Sequence, residues 1–156
     1  MIHIVPSTHF FACASAEGQT PRLSLDSAVL AAGIGHVNLV KISSVIPPGC
    51  RFTTPPALPA GALVPAAFAS ITSPLHGEVI SAGVAVAYAA DPAHPGLIME
   101  YSASGHKEDI EAIVRRMAEE GMTMRGLEIS EIRSLAVQHR VEKFGSVFAA
   151  VVLWNT

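Results

Sequence analysis

Charge is scarce in this chain. Only 15% of its 156 residues are Asp, Glu, Lys or Arg, while 50% are hydrophobic. So thin a charged surface suits a protein that buries part of itself against further subunits. The net charge is −3 and the Lys and Arg residues are scattered, so no groove for nucleic acid is expected. Cysteine is nearly absent. Cys13 and Cys50 are too few and too far apart for a disulfide framework, and neither forms Cys-x-x-Cys. Both are expected as thiols in a reducing compartment. No basic segment followed by a long apolar run opens the sequence, so no signal peptide is expected. The longest weakly polar stretch, 83–90, is far too short to span a bilayer, so no membrane partner is expected and a cytoplasmic location fits. The seven histidines include no pair at ligand spacing, so no metal is expected.

What the chain does have is an apolar, β-branched run, Val37 to Ile42, that meets Ser43 and Ser44 and stops at Pro47-Pro48. The run reads as a buried strand. Each proline lacks an N–H and fixes φ, so regular pairing should end there. A serine so placed can attack its own preceding peptide bond. Addition of the Ser44 hydroxyl to the Ser43 carbonyl moves the acyl group from nitrogen to oxygen. Elimination leaves dehydroalanine, and hydrolysis of that leaves a pyruvoyl group at residue 44. Taken by itself, the dipeptide is more often the bland alternative, a polar strand end before a turn.

The chain is long enough for one domain with a real core. Residues 2–5 and 10–15 read as strands, and Glu17 to Pro21 as a loop. Ser24 should begin a short helix with Leu25, Ala28, Val29 and Ala32 on one face, stopping at Gly33. Asp26 then falls in its first turn, where the helix dipole favours a carboxylate. Gly33-Ile34-Gly35 follows a helix and enters a strand, so it reads as a turn and not as a nucleotide loop. Residues 49–60 should be a loop. Leu63–Thr72, Val79–Ala89, Leu97–Ser102, 129–140 and 145–154 read as strands. Lys107 to Glu120 is the clearest helix, with Ile110, Ile113, Val114 and Met117 on one face, a Glu111–Arg115 pair, and Gly121 as its stop. Many strands and two main helices predict an α+β fold, a layered α/β sandwich with mostly antiparallel sheets, as a single domain over 1–156.

Three blocks together resemble the pyruvoyl-dependent arginine decarboxylase family. The first is Ser15-Ala16-Glu17-Gly18-Gln19-Thr20-Pro21 with Leu25-Asp26, then Ala32-Gly33-Ile34-Gly35-His36-Val37-Asn38 through Pro48. The second is Leu58-Pro59-Ala60-Gly61-Ala62-Leu63-Val64-Pro65, followed by Gly77-Glu78-Val79-Ile80-Ser81-Ala82. The third is Gly96-Leu97-Ile98-Met99-Glu100-Tyr101, with Met124-Arg125-Gly126 and the tail from Val141-Glu142-Lys143 to Leu153-Trp154. The resemblance covers about residue 10 to the C-terminus. It implies a carboxy-lyase that turns arginine into agmatine and carbon dioxide. Its cofactor would be a covalent pyruvoyl group made from Ser44 by self-cleavage at Ser43–Ser44, leaving chains 1–43 and 44–156. It also implies a homotrimer with sites between subunits. Decarboxylation of another amino acid such as histidine, or ligand binding without turnover, are the alternatives.

Glu100 is the one acidic residue inside an apolar strand run, so its carboxyl should be desolvated and favour the protonated form. The resemblance makes it the proton donor. It also places Asp26 against the substrate's guanidinium, which a carboxylate can hold by two hydrogen bonds, sets Ser43 beside the substrate, and puts Asn38 near the processed bond. In an unbroken strand Asn38 and Ser44 lie roughly 20 Å apart, so Asn38 is expected to serve a neighbouring subunit. Lys41 invites a pyridoxal phosphate reading, but alternation points it away from Ser44 and no phosphate cradle is near. No pyridoxal phosphate is expected.

Overall fold

The computed structural model describes residues 4–156. Two sheets lie face to face with a helix on each outer surface. The chain runs β1 (Thr8–Glu17), α1 (Pro21–Ala31), β2 (Asn38–Lys41), β3 (Val45–Ile46), β4 (Arg51–Phe52), β5 (Leu63–Ser73), β6 (Val79–Ala89), β7 (Gly96–Ser104), α2 (Lys107–Met124), β8 (Ile129–Arg140), β9 (Gly145–Trp154). One sheet has the order β2-β5-β9-β1-β4, and the other β3-β7-β6-β8. Among the described residues, only β2 on β5 and β1 on β4 pair in parallel. The expected α+β layered sandwich, mostly antiparallel with two helices, is what forms.

β6 and β9 explain the layering. Along β6, Ile80, Ala82, Val84 and Val86 face the other sheet, while Ala85 and Ala87 lie under α2. Along β9, Val147, Ala149, Val151 and Leu153 fill the same inter-sheet core, while Phe148, Ala150 and Val152 lie under α1. Strands covered on both faces read as continuous apolar runs, which is how these two appear in the sequence.

Several boundaries differ from expectation. α1 begins at Pro21, not Ser24. Thr20 caps it, its hydroxyl accepting from Leu23 N at 3.1 Å, and Pro21 takes the first helical position. Asp26 is therefore in the middle of α1 and has no first-turn role. The run from Val37 is an exposed edge strand, not a buried one, because β2 has a neighbour on one side only. The 49–60 loop contains the short strand β4. The expected strand over 2–5 is irregular at residues 4 and 5, and residues 2 and 3 lie outside the described residues.

α2 passes through Gly121 to Met124. A Cβ at Gly121 would collide with Leu97 Cδ2 and sit 3.0 Å from Met99 Cε, so this glycine lets the helix lie against β7 and does not stop it. The helix opens with Gln138 accepting from Lys107 N at 3.0 Å. Glu111 and Arg115 meet through Ser134, whose hydroxyl donates to Glu111 at 2.7 Å and lies 2.8 Å from Arg115 Nη1. Among the described residues no helix is long and apolar enough to cross a membrane.

Candidate active site

The site is built where the chain changes sheets. Ile42 N still bonds to Ala66 O of β5 at 3.1 Å, in the first sheet. Ser44 O already accepts from Ile98 N of β7 at 2.7 Å, in the second. The register continues as Val45 opposite Leu97 and Ile46 opposite Gly96. The whole crossing is therefore Ser43 and Ser44. Beyond it, Pro47 and Pro48 end the pairing, and the turn closes with Cys50 N donating to Pro47 O at 3.1 Å. The proline brake read from the sequence acts three residues after the crossing, once β3 is anchored.

Neither Ser43 nor Ser44 has its hydroxyl hydrogen-bonded among the described residues. Both line a cavity of about 270 Å³ whose other walls include Pro6, Ile42, Pro65 and Leu153. A three-carbon ketone at residue 44 fits this place: its backbone carbonyl is already held by Ile98 N, and apolar walls shield one side.

Glu100 lies two residues beyond Ile98 on β7, opposite Val84. It is half-buried, and burial raises its carboxyl above the ordinary range while the charge of Lys41 pulls the other way. Its side chain opens on a second cleft, of about 350 Å³, that includes Lys41, Phe68, Ser70 and Tyr101. Ser102 Oγ donates to Ser70 O at 2.9 Å and ties the two sheets at this cleft. Ser44 and Glu100 thus share an edge of the sandwich and the strand β7, but open on different cavities in one chain.

Asn38 is at the far end of β2, where its Nδ2 donates to Gly61 O at 3.0 Å. Asp26 is exposed on α1, in the outer layer. Neither lines the Ser44 cavity or the Glu100 cleft. One chain therefore brings Ser43, Ser44 and Glu100 to one edge and leaves Asn38 and Asp26 apart.

Two groups escaped the sequence reading. Glu17, at the end of β1, receives His139 Nε2, Lys143 N at 2.8 Å and Glu142 N at 3.2 Å. Burial would raise its carboxyl, but these hydrogen bonds outweigh it and hold the group low. Glu17, Ser27 and Lys143 border a cavity of about 460 Å³, with Ser27 next in sequence to Asp26. The only hint was that Glu17 stands in the first block of the resemblance. The other group is buried His9, between Tyr88 Oη at 2.7 Å and Cys50 Sγ at 3.4 Å. Burial, with Arg133 nearby, lowers His9 to about 4, so it stays neutral. No local pattern marks residues so far apart in sequence.

A serine strung between two sheets, with a desolvated carboxyl along the same edge, is an arrangement suited to a self-processing enzyme with a carbonyl made from its own chain. The model of the pyruvoyl-dependent arginine decarboxylase family matches residues 8–156. The Methanocaldococcus jannaschii protein of that name is 48% identical over 150 residues, which is 96% of this chain and 91% of the relative. Its Methanococcus maripaludis (strain C6) namesake is 43% identical over 149 residues, 96% of this chain and 91% of its own. That of Pyrococcus horikoshii is 38% identical over 157 residues, covering 99% of both. The chain belongs to the pyruvoyl-dependent arginine decarboxylase family.

Proposed function

We propose that this protein decarboxylates arginine to agmatine, using a pyruvoyl group made from its own Ser44. The observation that carries the reading is the Ser43–Ser44 crossing, found inside a family match that spans residues 8–156.

Maturation starts with the Ser44 hydroxyl. Its oxygen adds to the Ser43 carbonyl carbon, the C–N bond breaks, and Ser43 becomes an ester on Ser44. Loss of the Ser44 α-proton expels Ser43 as a carboxylate. Hydrolysis of the dehydroalanine left behind releases ammonia and leaves a ketone at the head of the 44–156 chain. The flanks are pinned to different sheets at Ile42 and Ser44, which supports a bent, attack-ready peptide there.

The pyruvoyl ketone, with the amide carbonyl that follows it, supplies the electron sink for loss of carbon dioxide. The chain's own residues do the rest. Ile98 N–H, already on the residue 44 carbonyl, orients that amide and stabilises negative charge on its oxygen. The apolar wall at Pro65 and Leu153 keeps water from the carboxylate that is to be lost. Glu100, favoured in its protonated form by burial, returns a proton to the substrate carbon. Asp26 takes the guanidinium, and Asn38 aids the processed bond, each acting on the site of a neighbouring protomer in a homotrimer. Their distance from Ser44 within one chain supports that assignment.

Intact mass, followed by amine release across a panel of amino acids, tests the reading. Wild-type protein should yield species for 1–43 and for 44–156 with a ketone-reactive end, and agmatine from arginine. Ser44→Ala should give one full-length mass and no amine. A single intact chain in active protein would overturn the proposal, and release of histamine in place of agmatine would overturn the substrate.

A further inference from the structure

Lys41 has an unusual position for an edge-strand lysine. It is exposed at the end of β2, where its side chain could extend into water. Instead its Nζ lies 4.9 Å from the centre of the Phe68 ring, at a distance where the ring face attracts a cation. Phe68 is on β5, and the cleft it borders opens across to Glu100 of β7 in the other sheet. We propose that Lys41 is a positioning residue for Glu100, its ammonium group, seated on the Phe68 ring, setting the positive charge of the cleft on which the carboxyl opens.

Among the described residues that border the cleft, Lys41 is alone in that role. Phe68, Ala69 and Ser70 come to the cleft from β5, Tyr101 and Ser102 from β7, and Val84 of β6 lies opposite Glu100; none of them is charged. Lys41 is the charge that acts on Glu100, and it acts against burial by favouring the carboxylate. Phe68 fixes where that charge stands, and the Ser102–Ser70 hydrogen bond fixes the spacing of the sheets around it. Lys41 thus keeps the acid from being held protonated so firmly that it cannot give up its proton within the working pH range.

The inference rests on the reading of Glu100 as proton donor, and its test separates the two. Uncut Ser44→Ala protein, labelled with carbon-13 at the glutamate carboxyls, is titrated by NMR, with Glu100 identified by the signal lost in Glu100→Gln. Adding Lys41→Met should move the Glu100 midpoint to higher pH, and Lys41→Arg should leave it near its starting place. Identical midpoints in all three would overturn the role of Lys41. In processed enzyme the alkaline limb of the rate should move with the midpoint. At a pH where the wild type has lost nine-tenths of its rate, Lys41→Met should keep a share of its own maximum roughly threefold larger. A midpoint that moves while the limb stays upholds Lys41 and removes Glu100 as the donor.

Discussion

Glu100 is under two opposed influences, burial that raises its carboxyl and Lys41 that lowers it. A donor must be protonated, so the rate should fall as pH rises through its titration. Glu100→Gln keeps the shape and removes the proton. Cleavage at Ser43–Ser44 should persist by mass while agmatine formation drops about 10²–10⁴-fold, the usual worth of a general acid. Near-normal turnover would place the acid elsewhere. The sequence marked Glu100 because a charge inside an apolar strand stands out at a period of two. It marked Ser44 because serine before a double proline is a local pattern. It could not mark Lys41, whose partners Phe68 and Glu100 belong to strands reached only through folding. Nor could it set Asp26 correctly, since that depended on where α1 starts.

At the scale of elements, the misread boundaries have different causes. Thr20-Pro21 is a local helix-start signal inside a stretch whose composition reads as loop. Gly121 is different: its meaning is tertiary, a gap for Leu97 and Met99 where α2 crosses β7, and nothing beside it in sequence announces that. The edge position of β2 was equally hidden, because apolar composition is the same for a buried strand and for one awaiting a partner. Gly121→Leu should cost about 1–3 kcal/mol by overpacking, read as a lower denaturant midpoint. Because α2 braces the strand that carries Ile98 and Glu100, the variant should also cleave more slowly. Unchanged stability would mean that α2 is free to lift away from β7.

For the whole molecule, length and periodicity made the layers legible, and 129–140 and 145–154 appear as strands with those bounds. Which strand joins which sheet was not legible, since β1 pairs with β9 from the opposite end of the chain. The separation of Asp26 from Ser44 predicts complementation. On the proposed roles, Asp26→Asn chains keep Ser44 but lack the guanidinium partner, and Ser44→Ala chains keep Asp26 but form no ketone. Co-expressed, they should regain part of the arginine activity that each lacks alone; none regained would put Asp26 and Ser44 in one protomer's site or take Asp26 out of it. The crossing also has a bearing on how the protein comes into being. Its two flanks are held by strands of different sheets, through Ala66 on one side and Ile98 on the other. The scissile peptide takes its shape only when both sheets have formed and stacked. A chain arrested with one sheet assembled would hold that peptide slack and leave it whole. On the proposed processing at Ser44, activation is a form of proofreading, in which the bond that must break is also the gauge of whether the molecule was put together correctly.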